Sequence, residues 1–257
     1  MFAGQFYPKG KTELIKEIEK YLKEGKDTGE ISELKGCIVP HAGYFYSGKL
    51  MASVYSTLPE VDTIIILGTN HNTGVNSISF EDWETPLGVV ENDKELGEKI
   101  QDEVDIENNE AIHAGEHSIE VQVPFIQYLF PKIKIIPILV ADHADLTEGI
   151  FRAVKSSEKR VLIVCSSDFS HCGPMYGFEG KCEELDKMAI DKILSLNISD
   201  FLFEANQTTI CGKEAIALCM AICKKLGSKK VELLDYYTSA KILSGQNKVG
   251  YAGVVFY

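Results

Sequence analysis

Four short apolar runs constrain this chain most: Gly-Cys-Ile-Val-Pro at 36–40, Thr-Ile-Ile-Ile-Leu at 63–67, Ile-Lys-Ile-Ile-Pro-Ile-Leu-Val at 133–140 and Arg-Val-Leu-Ile-Val-Cys at 160–165. They are rich in β-branched residues and lack the alternating polar positions of half-exposed strands, so each predicts a strand covered on both faces. Helical periodicities run between them. Residues 11–24 bring Leu14, Ile15, Ile18, Tyr21 and Leu22 to one side. Further helices are predicted at 46–58 and 94–103, at 117–130 with a cap at Ser118 and a break near Pro124, and at 145–156. The last has Asp145 as N-cap and Glu148 at the capping-box position. Strand–helix alternation implies right-handed crossovers and a parallel sheet. The final third predicts helices at 183–194, 199–205 and 213–226, then strands at 231–237 and 250–256 joined by a loop at 239–248. The expected fold is α/β, a mainly parallel or mixed central sheet with helices on both faces. No repeat or linker interrupts it, so residues 1–257 are read as a single domain.

A chain of 257 residues can bury a large core without a structural metal. Any metal it holds is therefore expected to be functional. The net charge is 26 − 38 = −12, and no basic run exists to track a phosphate backbone, which argues against nucleic acid. From Glu81 to Glu120 acids dominate, with Lys94 and Lys99 the only Lys or Arg, and this stretch reads as a solvated acidic face. The seven cysteines form no CxxC pair, which excludes zinc-ribbon and thioredoxin motifs. Several sit in apolar stretches as small hydrophobes, pointing to a reducing compartment. The opening residues lack a signal-peptide layout, and no apolar run approaches the length of a membrane span. A cytoplasmic protein is expected.

Ligand sites in open α/β sheets lie beyond the carboxyl ends of the strands. Four of the six histidines fall there: His41 after the first strand, His71 after the second, His143 after the third and His171 after the fourth. The other two form His113-Ala-Gly-Glu-His117, where Gly115 makes a shared helical face doubtful. His117 is expected to open the next helix toward the same crevice, and His113 to be an ordinary loop residue. Imidazole is a common ligand for intermediate metals, so this convergence predicts a metal centre with open positions. Asp168 and His171 lie on one turn and could move protons or orient ligands. Ser167, His171 and Asp168 have the residue types of a hydrolytic triad, but no GxSxG elbow accompanies them. No GxGxxG or GxxxxGK[ST] loop supports nucleotide binding.

The motifs Pro40-His-Ala-Gly-Tyr44, Ile66-Leu-Gly-Thr-Asn-His71, Glu116-His-Ser-Ile-Glu120, Ile136-Pro-Ile-Leu-Val140, Ser166-Ser-Asp-Phe-Ser-His171 and Thr209-Ile-Cys-Gly212 occur in that order. Together with Phe2-Ala-Gly-Gln-Phe-Tyr-Pro8 and Tyr251-Ala-Gly253, they resemble the Memo family, whose prokaryotic members are the B protein of the AmmeMemoRadiSam system. The resemblance runs nearly end to end. It implies a fold like that of class III extradiol dioxygenases, which hold Fe(II) by two His and one Glu. In Memo proteins the trio is two His and one Cys, which places the ligands at His41, His71 and Cys211. It also implies that His171, with Asp168, takes the acid/base position and that His117 lines the same pocket. A thiolate in place of a carboxylate favours copper(I) or zinc as well as iron and can itself be oxidised. Asn72 stands where family members often carry a second His.

Three functions stay open on this reading. One is a redox enzyme using iron or copper on a small molecule. Another is a non-catalytic scaffold binding a metal or peptide; the resemblance also implies radical SAM and AMMECR-type proteins as pathway partners, whose presence would point instead to a role in a modification pathway. The third is a zinc-dependent hydrolase.

Overall fold

The computed structural model describes residues 2–26 and 28–257. In chain order the strands are β1 (Gly36–Val39), β2 (Thr63–Thr69), β3 (Ser77–Ile78), β4 (Trp83–Thr85), β5 (Gly88–Asn92), β6 (Glu107–Asn108), β7 (Lys134–Val140), β8 (Val161–Ser166), β9 (His171–Cys172), β10 (Val231–Thr238) and β11 (Lys248–Phe256). The helices are α1 (Lys11–Glu24), α2 (Tyr44–Tyr55), α3 (Lys94–Glu103), α4 (Glu110–Ala114), α5 (His117–Glu120), α6 (Val123–Leu129), α7 (Thr147–Ser156), α8 (Cys182–Leu194), α9 (Ile198–Ala205) and α10 (Lys213–Lys225).

The four apolar runs become β1, β8, β2 and β7, parallel and adjacent in that order. Antiparallel β11 and β10 extend the sheet beyond β1, and β3 pairs antiparallel with β7 at the other side. The sheet is thus mixed, with a parallel centre. Successive side chains of a strand point to opposite faces, and here each face has its own core. Ile65 and Leu67 of β2, Ile163 and Cys165 of β8 pack with α3, α7, α8, α9 and α10. Ile64 and Ile66 of β2, Leu162 and Val164 of β8 pack with α1, α2, α5 and α6. Each fully buried Ile, Leu or Val contributes about 1.5–3 kcal/mol, which is why the interiors of the central strands are almost entirely apolar. The expected architecture, a mixed sheet covered on both faces, is the one observed.

Several local expectations are corrected. The predicted helix at 117–130 is two helices, α5 and α6, and Pro124 sits in the first turn of the second, where its missing N–H costs nothing. Its cap is Glu116, whose side chain accepts from Ser118 N, rather than Ser118 itself. The capping box at Asp145 is absent: α7 begins after Leu146 with no side-chain cap. Part of the acidic 81–120 stretch is built into structure as β4, β5, α3, β6 and α4. Residues Ser239–Lys241 within the predicted 239–248 loop form a 3-10 turn. Cys172 and Cys182 are joined in a disulfide, so the small-hydrophobe reading holds for buried Cys37, Cys165, Cys219 and Cys223 but not for that pair. Among the described residues no helix is long and apolar enough to cross a membrane.

The edge opposite the strand-end loops has its own anchor. Asp93 caps α3 by accepting from Leu96 N, takes Lys159 Nζ at 2.7 Å, and accepts from Thr63 Oγ1. Burial alone would raise its pKa, but Lys159 and Thr63 hold the carboxyl below its usual range. Asp93→Ala should cost about 2–4 kcal/mol, combining a lost cap with a lost charged hydrogen bond. Because the folded pKa is depressed, this contribution is present above the unfolded carboxylate value and is lost as pH falls through the folded one. Denaturant melts at neutral and acid pH check it: the gap between wild type and variant should narrow in acid.

Candidate metal centre

Three chain segments meet beyond the carboxyl ends of β1, β8 and β2. His41 follows β1 by two residues, His71 follows β2 by two, and Cys211 lies two residues before α10. One donor atom from each of His41, His71 and Cys211 lies within 4.8 Å of the other two. The His41 Nε2–Cys211 Sγ separation is 3.3 Å. Gly212 lets Cys211 come this close. A Cβ there would lie 2.5 Å from both Ser167 Oγ and Thr69 Oγ1, and Gly212 N donates to that same Ser167 oxygen at 3.0 Å.

Hydrogen bonds dictate which ring nitrogen is available. Ser166 Oγ donates to Ser118 O at 2.6 Å and accepts from Gln122 Nε2 at 2.8 Å. Its one proton is therefore spent, so at 3.2 Å from His41 Nδ1 it can only accept. His41 thus carries its proton on Nδ1 and presents a lone pair on Nε2 toward Cys211. Gln122 is oriented in turn, donating to Pro40 O at 2.9 Å and accepting from Tyr55 OH at 2.7 Å. Burial, then the neighbouring rings of His117 and His71, holds His41 well below the usual imidazole pKa, so it is neutral and fit to ligate.

Glu116 does the same for the second candidate ligand, His71. Its carboxylate, 1% exposed, accepts from His71 N at 2.9 Å and faces His71 Nδ1 at 3.0 Å. It also accepts from Ser118 N at 2.9 Å and lies 3.2 Å from His117 Nδ1. Burial would raise the Glu116 pKa, but the bonds to His117 and His71 outweigh it and keep the group ionised. Burial works against a charged His71 too, but its bonds to Cys211 and Glu116 push its pKa up to about 10. His71 therefore lies between Glu116 and Cys211, a carboxylate–imidazole–ligand geometry of the kind that orients metal-bound histidines.

The remaining predicted residues surround this trio. The His117 ring stacks on His71 with centroids 5.0 Å apart and lies 5.2 Å from His41. Phe6 stacks on its other side at 4.5 Å and Phe2 meets its edge at 5.7 Å. Asp168 is buried and accepts from His41 N at 2.8 Å. Burial pushes its carboxyl up, and His171 and the His41 amide offset part of that rise. His171 is tied to the segment before Cys211: its N donates to Thr209 Oγ1 at 2.7 Å and its Nδ1 faces Thr209 O at 3.3 Å. A carbonyl only accepts, so the His171 Nε2 is left unprotonated in the neutral ring.

Two histidines stay outside. His143 Nδ1 pairs with Glu214 Oε2 at 2.6 Å and is not part of the trio. His113 is not a loop residue: it is buried in α4 with its ring edge-on to Trp83. Gly115 ends α4, so His113 and His117 share no helical face. Asn72 donates to Gly115 O at 3.1 Å and reaches Glu116 at 3.4 Å, adding a bond to the carboxylate that orients His71. Sequence reasoning missed Glu116, Gln122 and the covering role of Phe2 and Phe6. Glu116 left a signal, an acid directly before a pocket histidine, and Phe2 and Phe6 stand in an N-terminal motif without showing what they cover; Gln122 left none.

A family model described as "Memo-like protein" matches residues 1–255 of the chain. A "MEMO1 family protein" of Archaeoglobus fulgidus is 37% identical over 264 residues, covering 99% of this chain and 97% of its own. One of Methanosarcina mazei is 40% identical over 266 residues, covering 98% and 96%. Among solved structures, the uncharacterized protein JW3007 of Escherichia coli K12 superposes with a TM-score of 0.55 at 9% identity, over 87% of this chain and 100% of its own. At that identity the likeness is one of fold alone.

Proposed function

The chain belongs to the Memo-like protein family, and from that premise we propose that it is a metal-dependent protein acting on a small molecule. His41, His71 and Cys211 hold a redox-active ion, iron or copper. The observation that carries this is the convergence of the three donors, with both imidazoles tied at Nδ1 so that Nε2 faces the thiol. The donor set fits such an ion: neutral imidazole suits iron, copper and zinc, and the soft thiolate favours copper(I) and zinc. When bound, the ion supplies open coordination positions at which O₂ or an organic substrate is activated.

The chain's own residues have separable tasks. Asp168 fixes the backbone of His41, and Glu116 fixes the ring of His71. Phe2 and Phe6 pack against the His117 ring and cover part of it. His171, held by Thr209, presents Nε2 as an acceptor and takes the substrate proton, while Asp168 stabilises the imidazolium so formed.

The test is anaerobic reconstitution of the full chain with Fe(II) or Cu(I), followed by oxygen-consumption measurements on wild type, His41→Ala and His171→Gln. Rates above that of free metal are expected in wild type alone. Equal rates in wild type and His41→Ala would sink the proposal, and stoichiometric zinc in anaerobically isolated protein would replace it with hydrolysis.

A further inference from the structure

We infer that Asp142, His143 and Glu214 form a second metal site, for a divalent first-row ion held through nitrogen and oxygen. It shares no residue with the His41–His71–Cys211 trio. One donor atom from each of the three residues lies within 4.8 Å of the other two. Donors at about 2.1 Å from a common ion are at most about 4.2 Å apart, so small side-chain rotations complete the geometry. His143 Nδ1 and Glu214 Oε2, at 2.6 Å, are already inside that limit.

Both supporting segments are anchored. Asn76 Oδ1 accepts from Ala141 N at 2.8 Å and Asp142 N at 3.0 Å, which fixes the chain leaving β7. Thr147 Oγ1 donates to His143 O at 3.2 Å. Glu214 sits in the first turn of α10, whose Ala215–Met220 stretch is fully buried. Among the described residues the carboxylates of Asp142 and Glu214 take no Lys or Arg partner, and Glu214 is paired only with His143. Neighbouring Lys213 turns to Asn206 at 2.6 Å. Two carboxylates beside an imidazole form a harder donor set than the thiolate trio. They suit manganese, cobalt or zinc rather than copper(I).

The experiment titrates the metal-free full chain with Co(II) under anaerobic conditions, reading stoichiometry by equilibrium dialysis and thiolate-to-cobalt absorption in the near ultraviolet. Wild type should take two equivalents. His143→Ala combined with Glu214→Gln should take one and keep the thiolate band. His41→Ala combined with Cys211→Ser should take one and lack it. Asp142→Asn, nearly isosteric and exposed, should weaken the band-free equivalent at least about tenfold. All three positions are at least partly exposed, so these changes should leave the melting of the metal-free chain unaltered. The inference is overturned if the His143/Glu214 variant binds as much cobalt as wild type, or if wild type binds a single equivalent that carries the thiolate band. Loss of the thiolate band from wild type, with a band-free equivalent that still depends on His143, would instead count against the first centre and leave this one standing.

Discussion

Cys211→Ser should weaken copper(I) binding at the centre by more than about a hundredfold while leaving the fold intact. Loss of an outer-shell partner alone typically costs 10–100-fold, and here the soft donor itself is exchanged for a hard, poorly ionised hydroxyl. The serine is smaller, and Cys211 is only half-buried, so no core contact is lost. His41→Ala should be as damaging to metal binding, because it removes the one imidazole whose lone pair is fixed by a relay of buried hydrogen bonds through Ser166 and Gln122. Uptake by wild type should also weaken as pH falls. In the metal-free chain His71 holds its proton up to about pH 10, so an ion must displace it. Competition titrations with a copper(I) chelator measure all three effects. An unchanged affinity in Cys211→Ser would show that the thiol is not a ligand.

Glu116→Ala is expected to be the most destabilising single change near the site, at about 3–5 kcal/mol. It would strand the amides of His71 and Ser118 and the Nδ1 of two histidines, all of which now face one buried carboxylate. Glu116→Gln keeps the shape and one acceptor, so its stability loss should be smaller. Its metal affinity should still fall at least about tenfold, because the ring loses its anionic partner. The linkage follows the depressed folded pKa of Glu116. Its contribution is present above the unfolded carboxylate value of about 4.3 and is lost as pH falls toward the folded one. Melts of the metal-free variants, paired with metal titrations, separate the two effects. A Glu116→Ala chain that melts with wild type would refute this account.

The central sheet was legible because its four parallel strands are buried on both faces and so carry a continuous apolar signal. β3, β4, β5 and β6 were not, because they are two to five residues long and largely polar. The strand-end rule picked out His41, His71 and His171 from position alone, and the fold brings His41 and His71 together with Cys211. The rule also drew in His143, which the fold directs to Glu214 instead. Cys211 follows no strand; it enters from a loop before α10, and only the family resemblance pointed to it. Gln122 and Ser166 act through geometry created when α5 and α6 dock over β8; nothing in the local sequence marks Gln122, and the motif that opens at Ser166 does not reveal its hydrogen-bonding part. The Cys172–Cys182 pair was hidden for a related reason, since a ten-residue separation has no motif that a CxxC search would find.

The centre's parts are widely dispersed along the chain: His41 and Cys211, whose donor atoms touch, are 170 residues apart. During synthesis the first two imidazoles emerge long before the thiol, and β8, which lies between their strands, emerges later than both. The pocket therefore cannot exist on a nascent fragment. An ion captured early would meet only scattered histidines on an unfolded segment. Under the proposed function, an ion would thus be taken up late, by a chain already folded through its own hydrophobic cores, as a passenger admitted to a finished frame.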